Sequence, residues 1–405
     1  MTSGMEPVET HLAEVLATVR PIDPARLTLE AAEGGVLAET ATAVGALPLF
    51  DNSSMDGYAV HASDVAAATA AAPVTLPVAD QVPAGDTRIL TVAPGTCVRI
   101  MTGALMPGGA DAVVPVEWTD GGTAQVQFSR PVPKDHAIRR QGDDVAAGAE
   151  LLRMGTRLGP AQLALLAASG HGSVYVRRAP RVAVIGTGNE LSEPGSPLPP
   201  GRIWDSNSYM LAAAVRQAGG AATRHRVGDD PRAVLALIEE QSAAADLLIT
   251  SGGVSMGGEH DVVKAALSGH AAMTFRKVAM QPGMPQGAGV VGARRTPILT
   301  LPGNPVSAFV SFFLFARPAL DALCGLPPRP LPLARAILTS PVRSPEGRRS
   351  YLRGALDTQA GTVTPLTGQG SHQLGALALA NALIVVPEPV VSMEAGETAD
   401  VMSLP

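Results

Sequence analysis

Arg181-Val-Ala-Val-Ile-Gly-Thr-Gly-Asn-Glu190 is the stretch from which the fold can be read. Its run Val182–Ile185 has no polar position, so it suits a strand covered on both faces, as strands of parallel sheets are. The run passes directly into a glycine-bearing turn that ends on a carboxylate. Two further stretches repeat the plan: Asp246-Leu-Leu-Ile-Thr-Ser-Gly-Gly-Val-Ser-Met-Gly-Gly-Glu-His-Asp261 and Pro297-Ile-Leu-Thr-Leu-Pro-Gly-Asn-Pro-Val-Ser307. In parallel α/β sheets ligands bind outside the carboxyl ends of the strands, where these loops lie. Glycines let backbone N–H groups approach a ligand, and their dipoles suit phosphate. Glu190 and Asp261 oppose a phosphate unless a cation lies between them. That conflict points to a phosphorylated substrate handled with a divalent metal.

Outward from this core, strands and helices alternate from Arg181 to Gly325. Helices are expected over Asn207–Ala218, capped near Ser206 and stopped at Gly219-Gly220, and over Ala233–Glu240 after Asp230-Pro231. Strands fit Asp246–Thr250, Thr274–Ala279 and Pro297–Leu301, and a last helix from Val306 to Leu323 should bend at Pro318. Upstream, His11–Val19 reads as a short helix, and Leu76 to Phe128 as short strands of a separate β-rich domain. A helix starts at Pro160 and stops at Gly170, followed by a strand at Ser173–Arg177. Leu326-Pro-Pro-Arg-Pro-Leu-Pro-Leu333 is a stiff linker. Beyond it, Ala336–Leu338 and Ala382–Val386 suggest a small β domain.

A chain of 405 residues should form more than one domain, since single cores stop growing near ~250–300 residues. Hydrophobic residues at 46% and charged residues at 16% suit a buried core; 43 Gly and 35 Pro then mean turns rather than disorder. The net charge of −6 and the lack of a basic run argue against nucleic acid. Cys97 and Cys324 have neither metal spacing nor a disulfide framework, which fits a reducing cytosol and buried thiols. Met1 to Glu9 holds no basic segment before an apolar core, so no secretory signal is expected. The densest apolar stretch, Ala308–Ala316, falls short of the ~18 residues of a membrane span. The expectation is a cytoplasmic protein without a membrane partner.

Taken in order, seven motifs resemble the molybdopterin molybdenumtransferase family, which includes bacterial MoeA and the E-domain of animal gephyrin. They are Asp51-Asn-Ser-Ser-Met-Asp-Gly-Tyr-Ala59, Arg99-Ile-Met-Thr-Gly-Ala104, Arg139-Arg-Gln-Gly-Asp-Asp144, Thr187-Gly-Asn-Glu-Leu191, Ser251-Gly-Gly-Val-Ser255, Pro302-Gly-Asn-Pro-Val-Ser307 and Gly370-Ser-His372. The strand loops by themselves are similar also to molybdopterin adenylyltransferases and CinA-like pyrophosphatases. Ser54-Met-Asp-Gly-Tyr58, the Arg99–Gly103 motif and the C-terminal β domain select the transferase.

The resemblance implies a multidomain α/β plus β protein. Residues 1–50 and 140–177 would form an N-terminal linker and dimerisation domain, and 51–139 an inserted β-rich domain. Residues 178–326 would form a three-layer α/β molybdopterin-binding domain with a mainly parallel sheet, and 327–405 a small β-barrel-like domain. It implies insertion of molybdate into adenylylated molybdopterin with release of AMP, assisted by Mg2+ on Glu190 and Asp261. Catalytic positions would be Asp56, Thr102, Asp144, Glu190, Asp230 and Asp261. Substrate would meet Thr187, Ser251, Gly252, Gly253, Ser255, Lys277, Pro302, Gly303, Asn304, Pro305, Arg353 and Ser371. A homodimer with a composite active site is implied, and a molybdopterin adenylyltransferase is a candidate partner.

Bland readings stand beside these. Asp230 before Pro231 is an ordinary helix N-cap, with Asp229 as a lesser candidate for that part. Asp56 and Asp144 suit turns. Arg348 and Arg349 suit a solvated face, His260 an ordinary loop, and Phe309, Phe312, Phe313 and Phe315 a core. The chain departs from the family at Gln281-Pro-Gly-Met-Pro285, where many members carry Lys-Pro-Gly-Lys-Pro; Lys277 is retained. The loop from Ser255 to Asp261 is one residue longer than usual. Rival functions are an adenylyltransferase or CinA-like pyrophosphatase, a scaffold, and a paralogue that binds pterin without turnover. The sequence does not choose between molybdate and tungstate.

Overall fold

Arg181–Thr187 is the strand on which the larger unit is built. It pairs in parallel with Ala221–Val227 on one side and Leu247–Ser251 on the other, and Leu247–Ser251 pairs in parallel with Thr296–Leu301. Pro285–Val291 and Ala272–Lys277 continue the sheet antiparallel. The sheet is therefore mainly parallel, as its uninterrupted apolar strands require. This computed structural model describes residues 4–254, 261–269, 272–329 and 331–405. The chain forms two units, Met1–Arg26 with Ala31–Ala38 and Tyr175–Pro405, and Leu27–Glu30 with Glu39–Val174.

Alternate strand residues point to opposite faces. Val182, Val184, Leu247, Ile249 and Leu299 join one core with Leu211 and Val215 of helix Asn207–Gln217 and with Val306, Val310 and Phe312. Ala183, Ile185, Leu248 and Ile298 join a second core with Val234 and Ile238 of helix Pro231–Ser242 and with Val262–Leu267. Two buried faces make three layers.

The helix from Pro305 to Leu323 spans 19 residues at mean hydropathy 1.5, long and apolar enough to cross a membrane. The expectation that no stretch reaches that length is corrected; 72% of the helix window is buried, which accounts for its composition. The expected bend at Pro318 is instead a π segment at Phe312–Ala316, after which the helix resumes as Arg317–Leu323. The wider turn lies where Pro318 withdraws an N–H from the ladder. Phe312, Phe313 and Phe315 are core residues, and both cysteines are buried.

Helix Val8–Thr18, expected with the linker domain, lies in the α/β unit, because Val8 and Val15 enter its first core. Arg349 is no solvated face: it pairs with Glu9 at 2.5 Å and Glu388 at 2.9 Å. In the C-terminal region Leu333–Leu338, Arg349–Asp357, Thr362–Pro365, Ala382–Val386 and Thr398–Ser403 pair in a ring, a closed five-stranded barrel. Met280–Gln281 adds to its rim, paired with Arg349 and Ser350. In the second unit Ala112–Pro115, Gly57–Val60, Cys97–Ile100, Val74–Val82 and Gln125–Phe128 form a five-stranded sheet in that order.

Asp246 opens the second glycine-loop strand with its side chain 6% exposed. It accepts both arms of Arg178 at 2.6 and 2.8 Å and the Arg181 N–H at 2.8 Å. Burial pushes its carboxyl up, but these donors outweigh burial and hold it below the ordinary value. Asp246→Ala is expected to lower the unfolding free energy by about 2 kcal/mol, because three donors lose their acceptor while the Arg178 guanidinium, 33% exposed, is still reached by water. A depressed carboxylate stabilises above its unfolded pKa, so the gap to wild type should narrow as pH falls below ~4. Urea unfolding of both proteins across that range checks the magnitude and the sign.

Candidate active site

Gly186 lies opposite Ser251, and Ser251 opposite Leu301, so the three glycine-loop strands end level. Their loops open on one edge of the sheet and enclose a cleft of ≈ 510 Å³. A second hollow of ≈ 370 Å³ shares Thr187, Glu190, Ile203, Gly252, Gly303 and Asn304 with it, so the two are continuous.

Close approach dictates the glycines. Gly252 has φ +100°, and a Cβ there would stand 2.7 Å from the Thr187 carbonyl oxygen. Gly188 has φ +148°, and a Cβ there would stand 2.3 Å from Glu190 Oε2. The Glu190 carboxylate thus folds over a bare backbone.

Three carboxylates line the main cleft: Glu190, Asp229 and Asp261. No Lys or Arg lines either hollow among the described residues. Asp229 is held by a reciprocal pair of bonds: its Oδ2 accepts the Asn189 N–H at 2.9 Å, and its own N–H donates to Asn189 Oδ1 at 3.1 Å. Asp230 instead caps helix Pro231–Ser242, accepting the Arg232 N–H at 3.1 Å, and does not line the cleft.

Asn207, read in the sequence only as the start of a helix, joins two loops. Its Nδ2 donates to Ser251 Oγ at 2.8 Å and to the Gly303 carbonyl at 2.7 Å. Its Oδ1 is buried without a hydrogen-bond partner, a poised acceptor in the lining of the second hollow. The helix is capped from Asp205 rather than Ser206: Asp205 accepts the Ser208 N–H and hydroxyl at 3.0 and 2.5 Å. No periodicity marks Asn207 as a ligand; the polar run Asp205-Ser-Asn207 facing a strand loop was the available signal.

The structure brings together Thr187, Glu190, Ser251, Gly252, Gly253, Asp261, Pro302, Gly303, Asn304 and Pro305. Ser371 joins them from the barrel, accepting Asn304 Nδ2 at 3.0 Å on its hydroxyl and the Val306 N–H at 3.0 Å on its carbonyl. Lys277 is exposed at the end of an edge strand, opposite Pro285 of the cleft wall. Arg353 does not reach the cleft. It is 0% exposed, bonds the Gly368 and Gly370 carbonyls, and holds the loop that carries Ser371. Burial pushes its guanidinium below the ordinary value. Gln281 accepts Arg348 Nη1 at 3.1 Å, so that loop is tied to the barrel rim. Ser255 and His260 lie outside the described residues.

In the second unit Asp56 and Thr102 meet. Asp56 Oδ1 accepts the Thr102 N–H and hydroxyl, each at 2.7 Å, which holds the carboxyl below its ordinary value. Asp144 is exposed and lines a separate hollow with Leu47, Pro48, Arg139 and Asp143. Arg140 is engaged by Asp51 and Asp135.

The neighbouring aspartates make a direct test. If the cleft carboxylates hold Mg2+, Asp229→Asn should weaken its binding roughly tenfold or more, since an amide is a poor ligand for a hard cation. Asp230→Ala should leave Mg2+ affinity unchanged while removing about 1 kcal/mol of stability through the lost cap. Calorimetric titration and thermal unfolding read the two effects separately.

Three family descriptions match along the chain: the MoeA N-terminal region (domain I and II) at residues 6–170, the probable molybdopterin binding domain at 183–322, and the MoeA C-terminal region (domain IV) at 335–404. A Mycobacterium tuberculosis protein named molybdopterin molybdenumtransferase 2 is 48% identical over 407 residues, covering 99% of this chain and 100% of its own. The molybdopterin molybdenumtransferase of Nostoc sp. is 38% identical over 93% of this chain and 88% of its own. A crystal structure of the molybdopterin biosynthesis MoeA protein of Pyrococcus horikoshii is 32% identical, with a TM-score of 0.73 over 98% of this chain and 99% of its own. With three level glycine loops, an acidic cleft and a closed C-terminal barrel behind these matches, the chain belongs to the molybdopterin molybdenumtransferase (MoeA) family.

Proposed function

We propose that this enzyme of molybdenum cofactor biosynthesis inserts molybdate into adenylylated molybdopterin and releases AMP. One observation carries the finer reading: glycine loops of the kind that suit phosphate line the cleft, yet the charged side chains among its described lining residues are all carboxylates. An anionic substrate binds there only with a cation between. The hard oxygen set of Glu190, Asp229 and Asp261 fits Mg2+, which prefers carboxylates and retained waters. Glu190 and Asp261, with Asp229, would hold it, and when bound it would supply the positive charge that screens phosphate and polarises the bond to AMP.

The chain's own groups do the remainder. The Gly253 N–H and the Asn304 loop cradle phosphate, the Gly252 N–H being donated to the Leu301 carbonyl at 3.1 Å. The orphaned Asn207 Oδ1 accepts an N–H from the pterin, a donor-rich ring. Trp204, 51% exposed on the wall of the second hollow, offers a flat face to the same ring. Asp56 and Thr102 act on the oxyanion from a partner subunit, in a homodimer with composite sites. A molybdopterin adenylyltransferase is the proposed source and partner for the substrate, and the cytoplasm the proposed location. The adenylyltransferase and pyrophosphatase readings are not favoured by family membership.

Purified Asp261→Asn is expected to fold and lose most AMP release from adenylylated molybdopterin with molybdate, and excess Mg2+ should restore little. Near-normal release would remove Asp261 from the metal site.

Composite sites have a distinct signature. Asp56→Ala and Glu190→Ala should each be inactive as homodimers. In the mixed dimer one site carries both defects and the other neither, so roughly half of wild-type activity should return. A stable but inactive heterodimer, isolated through two tags, would place each site within one chain.

A further inference from the structure

The N-terminal helix carries a polar cluster that the function above does not use. His11 and Glu14 stand one turn apart on helix Val8–Thr18, and Glu6 precedes that helix. Glu6 is fixed by its backbone: its N–H donates to the Lys277 carbonyl and its carbonyl accepts the Ala279 N–H, each at 2.7 Å. One ligand atom from each of Glu6, His11 and Glu14 lies within 4.8 Å of the others.

The cluster is enclosed and slack. His11 is 1% exposed, with the Phe315 ring edge-on at 4.7 Å. His11 Nδ1 and Glu6 Oε2 are buried atoms without a hydrogen-bond partner. The contacts around them are long: His11 Nδ1 to Glu14 Oε2 4.0 Å, Thr274 Oγ1 to Glu14 Oε2 3.5 Å, and Arg276 to each glutamate 3.5 Å. Buried polar groups ordinarily close to 2.7–3.2 Å, as about that distance is where a hydrogen bond gains its strength. Burial pushes the His11 pKa down to about 4, so at neutral pH the ring is uncharged and a nitrogen lone pair is available.

We propose that Glu6, His11 and Glu14 form a binding site for a divalent transition-metal ion of the Zn2+ class, separate from the cleft. One imidazole and two carboxylates suit a borderline ion better than Mg2+, which prefers oxygen alone. Ligand atoms ~2.1 Å from one ion lie ~3–3.5 Å apart, so side-chain shifts of about 1 Å complete the set. Water fills the remaining positions through the partly exposed Glu14. Arg276, 44% exposed, supplies the opposing charge in the ion's place and withdraws to solvent when the ion binds. The ion would clamp the N-terminal helix to the strand that ends at Lys277, beside the cleft wall.

The test uses full-length protein stripped with chelator and titrated with ZnCl2 and CoCl2. Wild type should bind one Zn2+ per chain more than Glu14→Gln, show a Co2+ d–d absorption that the variant lacks, and gain thermal stability with Zn2+. Arg276→Gln removes the competing cation without touching a ligand, so its Zn2+ affinity should rise roughly tenfold. Cleft carboxylates are common to all three proteins and cancel from the comparison. Equal stoichiometry in wild type and Glu14→Gln, or unchanged affinity in Arg276→Gln, would mean that Arg276 alone neutralises this cluster and no metal site exists.

Discussion

The register of three parallel strands is the constraint on which this molecule depends. Gly186, Ser251 and Leu301 lie in one row, so the chain leaves the sheet three times at the same height. Each exit carries a glycine or a small hydroxyl residue because the next loop is already there: Gly252 meets Thr187, and Ser251 Oγ reaches the Pro302 carbonyl at 3.4 Å. A slip of one residue would turn Val184 and Ile185 to the wrong cores and separate the loops. Fold and cleft are therefore set by the same hydrogen bonds.

Within the cleft, polarity is divided between groups that build and groups left open. Asn189 and Asp229 satisfy one another, and Asn207 satisfies two loops through one amide nitrogen. What remains without a hydrogen-bond partner is the buried amide oxygen of Asn207. A cleft whose described charged side chains are carboxylates favours a cation over a bare anion. The replacement of two family lysines by Gln281 and Met284 is consistent with this division: Gln281 serves the barrel rim, and the Met284 carbonyl accepts the Val278 N–H at 2.8 Å.

The barrel contributes at one remove. Arg353 lies on the outer face of its strand, opposite Leu352 of the barrel core, and fixes the loop that presents Ser371 to Asn304. Its Nη2 meets the Gly368 and Gly370 carbonyls, while its Nε and Nη1 are buried without a hydrogen-bond partner. Asp246, at the far ends of the strands, also holds chain in place: its bonds to Arg178 and the Arg181 N–H join strand starts rather than serve chemistry.

Hydrophobic runs and glycine turns were enough, from the sequence, to show a mainly parallel sheet and to place Glu190 and Asp261 in loops beyond its strand ends, where they line one cleft. Those signals are local, since period and turn chemistry are written in neighbouring residues. Other features were not legible. Asp229 and Asp230 are chemically alike, and only the backbone path decides that one faces the cleft while the other caps a helix. Arg353 and Lys277 were both expected to meet substrate; Arg353 is buried against the Gly368 and Gly370 carbonyls, and Lys277 is exposed at the end of an edge strand. Asn207 looked like a helix start and spans two loops distant in sequence. Residue type and spacing thus set the strands, the turns and the chemistry on offer. Which polar atom is left without a partner was decided only by tertiary packing, because that depends on groups brought together from across the chain.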